Sequence, residues 1–157
     1  MIGAASLQLS AQTASVNVGD ATIHYELSGT GKTVVLIHGW AQDLTIWDDQ
    51  VMALSPRYRV LRYDRRSYGS STGHADPTAD PDDLRILLDS LKIPSAIVLG
   101  LSAGARTALS FAVAFPERVS ALVLYGSGPP VGFQPMAAEP RSNPRFDIAK
   151  NYGLDSL

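Results

Sequence analysis

The chain has 157 residues, 45% of them apolar and 18% charged, with a net charge of −2 and no cysteine. That length suits one domain with a real core, and the composition is that of a globular rather than a disordered protein. With no basic run, no thiol and no apolar run long enough to span a bilayer, the chain gives no reason to expect a nucleic-acid partner, a membrane, a disulfide or a thiolate metal site.

Residues 1–14 are small and weakly apolar and lack a basic n-region, so they read as a flexible N-terminus rather than the tail of a signal peptide. On that reading the protein is cytoplasmic; an exported protein with a missing signal peptide is the alternative. Between residues 15 and 28, Ile23-His24-Tyr25-Glu26-Leu27 alternates apolar and polar, as a half-exposed antiparallel strand does. Gly19-Asp20 and the Gly29–Lys32 stretch are its bounding turns, and His24 falls on its polar face. Thr33-Val34-Val35-Leu36-Ile37 is apolar throughout, which predicts a strand buried on both faces. It runs into His38-Gly39-Trp40.

A helix follows, with Trp47, Val51 and Leu54 at i, i+4 and i+7 and Pro56 as its stop. Trp47 belongs to its core stripe. A strand from Tyr58 to Tyr63 ends in Asp64-Arg65-Arg66-Ser67-Tyr68-Gly69, and loop composition continues to Ala79. His74 lies in that loop, where solvent exposure is the default. Asp80-Pro81 reads as an N-cap followed by proline at the first helical position. Leu84, Leu87, Leu88 and Leu91 then form an apolar stripe. The carboxylates of residues 76–89 read as that cap and a solvated helix face.

Ala96 to Leu99 is a second buried strand, and Gly100-Leu101-Ser102-Ala103-Gly104 separates it from a helix packed through Ala105, Ala108, Leu109 and Ala112. Pro116 closes that helix, and Ala121–Tyr125 is a further strand. Strand and helix alternate throughout, which predicts a doubly wound, mostly parallel α/β sheet. Ligands in such sheets sit at the carboxyl ends of the strands. His38-Gly39-Trp40, Asp64, Ser102 and Gly126-Ser127-Gly128 all fall there.

G-x-S-x-G between a strand and a helix has the context of a nucleophile elbow, a turn sharp enough to hold a serine above the sheet. Gly100 and Gly104 fit because a Cβ at either position would collide with the neighbouring strand or helix. A serine attacking a carbonyl creates an oxyanion that needs two preorganised donors. The amide of Ala103 opens the helix and supplies one. The amide of Trp40, turned inward at Gly39, supplies the other, while its indole lines the pocket.

The stretches at 34–40 (VVLIHGW), 63–71 (YDRRSYGSS), 98–104 (VLGLSAG) and 115–119 (FPERV) together resemble the α/β-hydrolase superfamily. The likeness is closest to its serine esterases, cofactor-free perhydrolases and enol-lactonases, and it covers about residues 20–130. It implies a hydrolase of a small carboxylic ester, lactone or related acyl substrate, with no cofactor and no metal. Ser102 would be the nucleophile, and the Trp40 and Ala103 amides the oxyanion hole. His38 would hold its loop through hydrogen bonds, and Asp64 and Arg65 would brace the rim. Ser67 and Ala105 stand where the family usually has glycine.

The family order is Ser, then acid, then His, whereas all three histidines of this chain precede Ser102. Asp147 and Asp155 follow it but end no predicted strand. The chain therefore resembles the N-terminal half of a hydrolase, with a core at 15–130 and the start of a lid or linker at 131–157. It would lack the C-terminal strands and most of the lid. A non-catalytic binding remnant of the same fold is the alternative reading. The strand at 121–125, apolar on both faces and without Lys or Pro, is expected to leave an edge open to a second copy or a complementary fragment.

Overall fold

A computed structural model describes residues 12–127, so Gly128 and the expected lid or linker segment at 131–157 lie outside the described residues. Six strands form one mixed sheet in the order β1-β2-β4-β3-β5-β6. β1 (Gln12–Val18) and β2 (Ala21–Ser28) form an antiparallel hairpin around Gly19-Asp20. Residues 12–14, expected within the loose N-terminal end, are thus paired as the start of β1.

β2 runs antiparallel to β4 (Arg59–Tyr63). From there β4, β3 (Thr33–Ile37), β5 (Ala96–Leu101) and β6 (Val119–Tyr125) are parallel. This is the mixed, mostly parallel α/β sheet that the strand–helix alternation predicts. β6 begins two residues before the expected strand.

The unbroken apolar run of β3, Val34 to Ile37, is explained by cover on both faces. Val34 and Leu36 pack with Val60 and Trp47, and partly buried Val51 and Leu54 of α1 (Asp48–Leu54) join them. Val35 and Ile37 face the larger core. Leu84, Leu87 and Leu88 enter it from α2 (Asp80–Ser90), and Ala108 and Phe111 from α3 (Ala103–Ala114). Removing each such leucine from water stabilises the fold by about 1.5–3 kcal/mol. The helix expected from Trp47 onward is preceded by a 3-10 turn, Leu44–Trp47, in which Asp43 caps the Thr45 amide.

The start of α2 departs from expectation. Asp80 is not an N-cap: that position is Ala79, with no side-chain cap, and Asp80 is already helical and buried. Nor do Asp80 and Asp83 belong to a solvated face. Arg65 donates to Asp80 Oδ2 from Nε (3.0 Å) and Nη2 (2.5 Å), and Thr107 Oγ1 donates to the same oxygen at 2.9 Å. Arg66 donates to Asp83 from Nε and Nη2, both at 2.8 Å. The reason is tertiary. The loop after β4 passes over the first turn of α2, and two arginines in apolar surroundings require buried carboxylate partners. Asp82 and Asp89 do lie on the outer face, bridged by Arg85.

Candidate active site

Ser102 stands between β5 and α3 with φ +53° and ψ −111°, a conformation that costs a non-glycine residue strain. The turn is held on three sides. The Ser102 amide donates to Tyr125 O at 2.8 Å, and its carbonyl accepts from the amides of Ala105 (3.0 Å) and Arg106 (3.4 Å). The side chain is exposed at the carboxyl end of the sheet.

At the two flanking glycines the backbone is too crowded for a side chain. A Cβ at Gly100 would lie 2.3 Å from Gly104 O and 2.6 Å from the Ala105 Cα. One at Gly104 would lie 2.3 Å from Ile37 O and 2.4 Å from His38 O. All of these are backbone atoms of packed elements, so nothing flexible can yield.

The loop after β3 comes up beside this turn. A Cβ placed on Gly39 would be 3.5 Å from the Ser102 Cβ. Gly39 donates its amide to Gln42 Oε1 at 3.0 Å, which pins the loop. Neither the Trp40 amide nor the Ala103 amide donates a hydrogen bond among the described residues. The first four amides of a helix have no intrahelical acceptor, so that of Ala103 is free by construction.

His38 is wholly buried and spends both ring nitrogens on structure. The Arg65 amide donates to Nε2 at 3.0 Å, so Nε2 is the unprotonated nitrogen, and Nδ1 donates to Gly39 O at 2.8 Å. Burial pushes its pKa below the ordinary histidine value, the Gly39 carbonyl only partly opposing it. Tyr68 meets the ring edge-on at 5.2 Å. Asp64 ties the adjacent loops together, accepting from the Leu44 amide (2.8 Å) and the Ser70 amide (2.7 Å). Ser67 adopts φ +69°, the left-handed conformation that a glycine would take without strain.

A cavity of about 490 Å³ opens beside the turn. Trp40 and Ala103 line it, whereas Ser102 is not part of its wall. Trp40 is 76% exposed, so its indole forms rim rather than core. Tyr68, Pro77, Ala105 and Leu109 extend the apolar wall, and Arg65 and Arg106 are its charged members. Sequence reasoning missed Gln42, Tyr68 and Arg106. The position of Arg106, in the first turn of the helix that follows Ser102, was the available signal for the last. The other two histidines, His24 on β2 and exposed His74, are not part of this cavity wall. Among the described residues no group of three or more His, Cys, Asp or Glu could hold a metal ion, and no helix is long and apolar enough to cross a membrane.

A family model described as alpha/beta hydrolase fold matches residues 32–152. The chain is 36% identical over 110 residues to a pimeloyl-[acyl-carrier protein] methyl ester esterase of Nitrosomonas europaea, covering 69% of this chain and 42% of that protein. It is 29% identical over 126 residues to a 2-hydroxy-6-oxo-6-phenylhexa-2,4-dienoate hydrolase of Comamonas testosteroni, covering 75% and 44%. The crystal structure of a hydrolase from Pseudomonas aeruginosa superposes with a TM-score of 0.71 at 28% identity, over 92% of this chain and 53% of that one. The chain thus spans little more than two-fifths of the length of these curated relatives, 42% and 44%.

Proposed function

The chain belongs to the alpha/beta hydrolase fold family, and from that premise we propose that it serves a serine hydrolase acting on a small carboxylic ester, lactone or related acyl substrate. Ser102 is the nucleophile in this reading, and the amides of Trp40 and Ala103 receive the oxyanion. The observation that carries it is the strained, exposed conformation of Ser102, fixed between Gly100 and Gly104 at the mouth of the sheet. Relatives named as esterases and hydrolases support the same class of reaction.

In the first step Ser102 Oγ bonds to the substrate carbonyl carbon and the carbonyl electrons move onto oxygen. The two amides stabilise that charge in place of water. Collapse of the intermediate expels the alcohol and leaves an acyl-serine, which water then hydrolyses. The hydroxyl proton needs a base. His38 does not serve, because both its nitrogens are engaged and its neutral form is held by burial. The base in this proposal comes from outside the described residues. Without it, oxyanion stabilisation and binding alone leave roughly 10³–10⁴-fold catalysis over water in a comparable serine enzyme.

The test is hydrolysis of p-nitrophenyl acetate by the wild-type chain and by Ser102→Ala, with circular dichroism to show that both fold. Weak turnover that disappears in Ser102→Ala is the expected result. Equal rates in the two proteins would contradict the assignment. Ligand binding without any Ser102-dependent turnover would favour the non-catalytic remnant.

A further inference from the structure

We propose that Arg106 selects substrates carrying a carboxylate, which it binds in the cavity beside Ser102. The inference rests on Ser102 being the reacting group and specifies what that group receives.

Among the described residues two charged side chains line the cavity, Arg65 and Arg106, and no Asp or Glu does. They differ in what balances them. Arg65 is buried and matched by Asp80. Arg106 is exposed and makes no ion pair or side-chain hydrogen bond among the described residues. Among the described residues the cavity therefore carries one uncompensated positive charge. A single carboxylate matches it in charge and in the planar, two-pronged geometry that a guanidinium offers.

The placement follows from helix geometry. The Arg106 amide bonds to the Ser102 carbonyl at 3.4 Å, so the two residues are one turn apart. A helical side chain leans back over the turn N-terminal to it, which here is the Ser102 turn. Trp40, Tyr68, Pro77 and Leu109 give the wall apolar surface, and Thr107, Ser110 and Ser127 add neutral hydroxyls. The matching ligand carries a short apolar spacer between its ester carbonyl and its carboxylate. A half-ester of a five-carbon dicarboxylic acid has this form.

Two measurements on the full chain test the proposal. In the first, kcat/KM is compared for mono-p-nitrophenyl glutarate and its neutral methyl ester, in wild type, Arg106→Leu and Arg106→Lys. Loss of a charged hydrogen bond predicts that Arg106→Leu lowers the preference for the anion by about tenfold or more. The loss falls mainly on KM, and Arg106→Lys restores part of it. In the second, binding of monomethyl glutarate and dimethyl glutarate to Ser102→Ala is followed by the fluorescence of Trp40. The monoanion is expected to bind more tightly, and adding Arg106→Leu to erase the difference.

Equal effects of Arg106→Leu on both esters, with binding also indifferent to charge, would overturn the carboxylate site even if Ser102→Ala abolished turnover. Tighter binding of 3-phosphonopropionate methyl ester than of monomethyl glutarate would overturn the choice of carboxylate. Arg106-dependent binding in a chain whose turnover survives Ser102→Ala would leave the site standing and remove the nucleophile. The two readings therefore fail separately.

Discussion

Asp80 and Arg65 form a two-pronged ion pair on one carboxylate oxygen, with Nε at 3.0 Å and Nη2 at 2.5 Å, and both residues are at most 5% exposed. Thr107 of α3 donates to the same oxygen at 2.9 Å, so one carboxylate joins the rim loop, α2 and α3. Replacing Asp80 by Asn leaves a buried guanidinium without its counter-charge. Breaking such a pair costs about 3–5 kcal/mol. Urea unfolding should show that loss for Asp80→Asn, and a clearly smaller one for the double change Arg65→Met with Asp80→Leu. A double variant as unstable as the single would mean that the pair itself, rather than the stranded charge, sets the cost.

His38 makes stability depend on pH in a definite direction. Its pKa is lowered in the fold by burial, so between that value and the ordinary 6.5 the unfolded chain binds more protons than the folded one. The stabilising contribution is full above about pH 6.5 and is lost as pH falls toward the folded value. The slope it can add is at most about 1.4 kcal/mol per pH unit. Unfolding curves from pH 7.5 to 5 are expected to show that fall, and His38→Asn to flatten it while lowering stability at pH 7.5. A slope unchanged by His38→Asn would remove His38 as its source.

Ser67 and Gly69 both take left-handed backbone conformations, at φ +69° and +51°. Ser67→Gly relieves a side-chain penalty there and is expected to raise stability by up to about 1 kcal/mol. Gly69→Ala should act oppositely. Its Cβ would fall 2.2 Å from Asp64 Oδ2, displacing the carboxylate from the Leu44 and Ser70 amides. Thermal melts of the two variants should move in opposite directions; a shift in the same direction would contradict the assignment.

The two kinds of packing differ in how far a sequence discloses them. β3 and β5 are legible because burial on both faces demands an unbroken apolar run, and Trp47 because it continues a helical stripe. Gly100 and Gly104 are legible because the crowding they relieve is local to one turn. The Asp80 and Asp83 partnerships are not, since an acidic residue beside proline at a helix start has an ordinary explanation as a cap. Only the passage of the 64–66 loop over α2 gives them another. Their spacing on the face of Leu84 and Leu87, together with the adjacent pair Arg65-Arg66, was the one hint. The proposed cavity role of Arg106 was hidden for a similar reason: an exposed helical arginine reads as solvated until the described part of the surrounding wall is seen to lack carboxylates.

β6 is the last strand of the described sheet, and nothing among the described residues pairs with its outer side. Val123, Leu124 and Tyr125 are exposed there, and no Lys or Pro interrupts the strand. Such an edge is a template for another strand, so the 157-residue chain is expected to associate with a second copy through it. Sedimentation over a concentration series should show a reversible rise in mass, with slowed amide exchange at residues 121–125 in the associated form. A dilution-insensitive monomer whose residues 121–125 are already protected would rule this out.

The assignment of Ser102 as nucleophile is tested most directly by covalent labelling. The chain is incubated with a fluorophosphonate, digested, and the adduct located by mass spectrometry. Slow labelling confined to Ser102, and absent from Ser102→Ala, is the predicted result. An adduct on another serine, or labelling that persists unchanged in Ser102→Ala, would contradict the account.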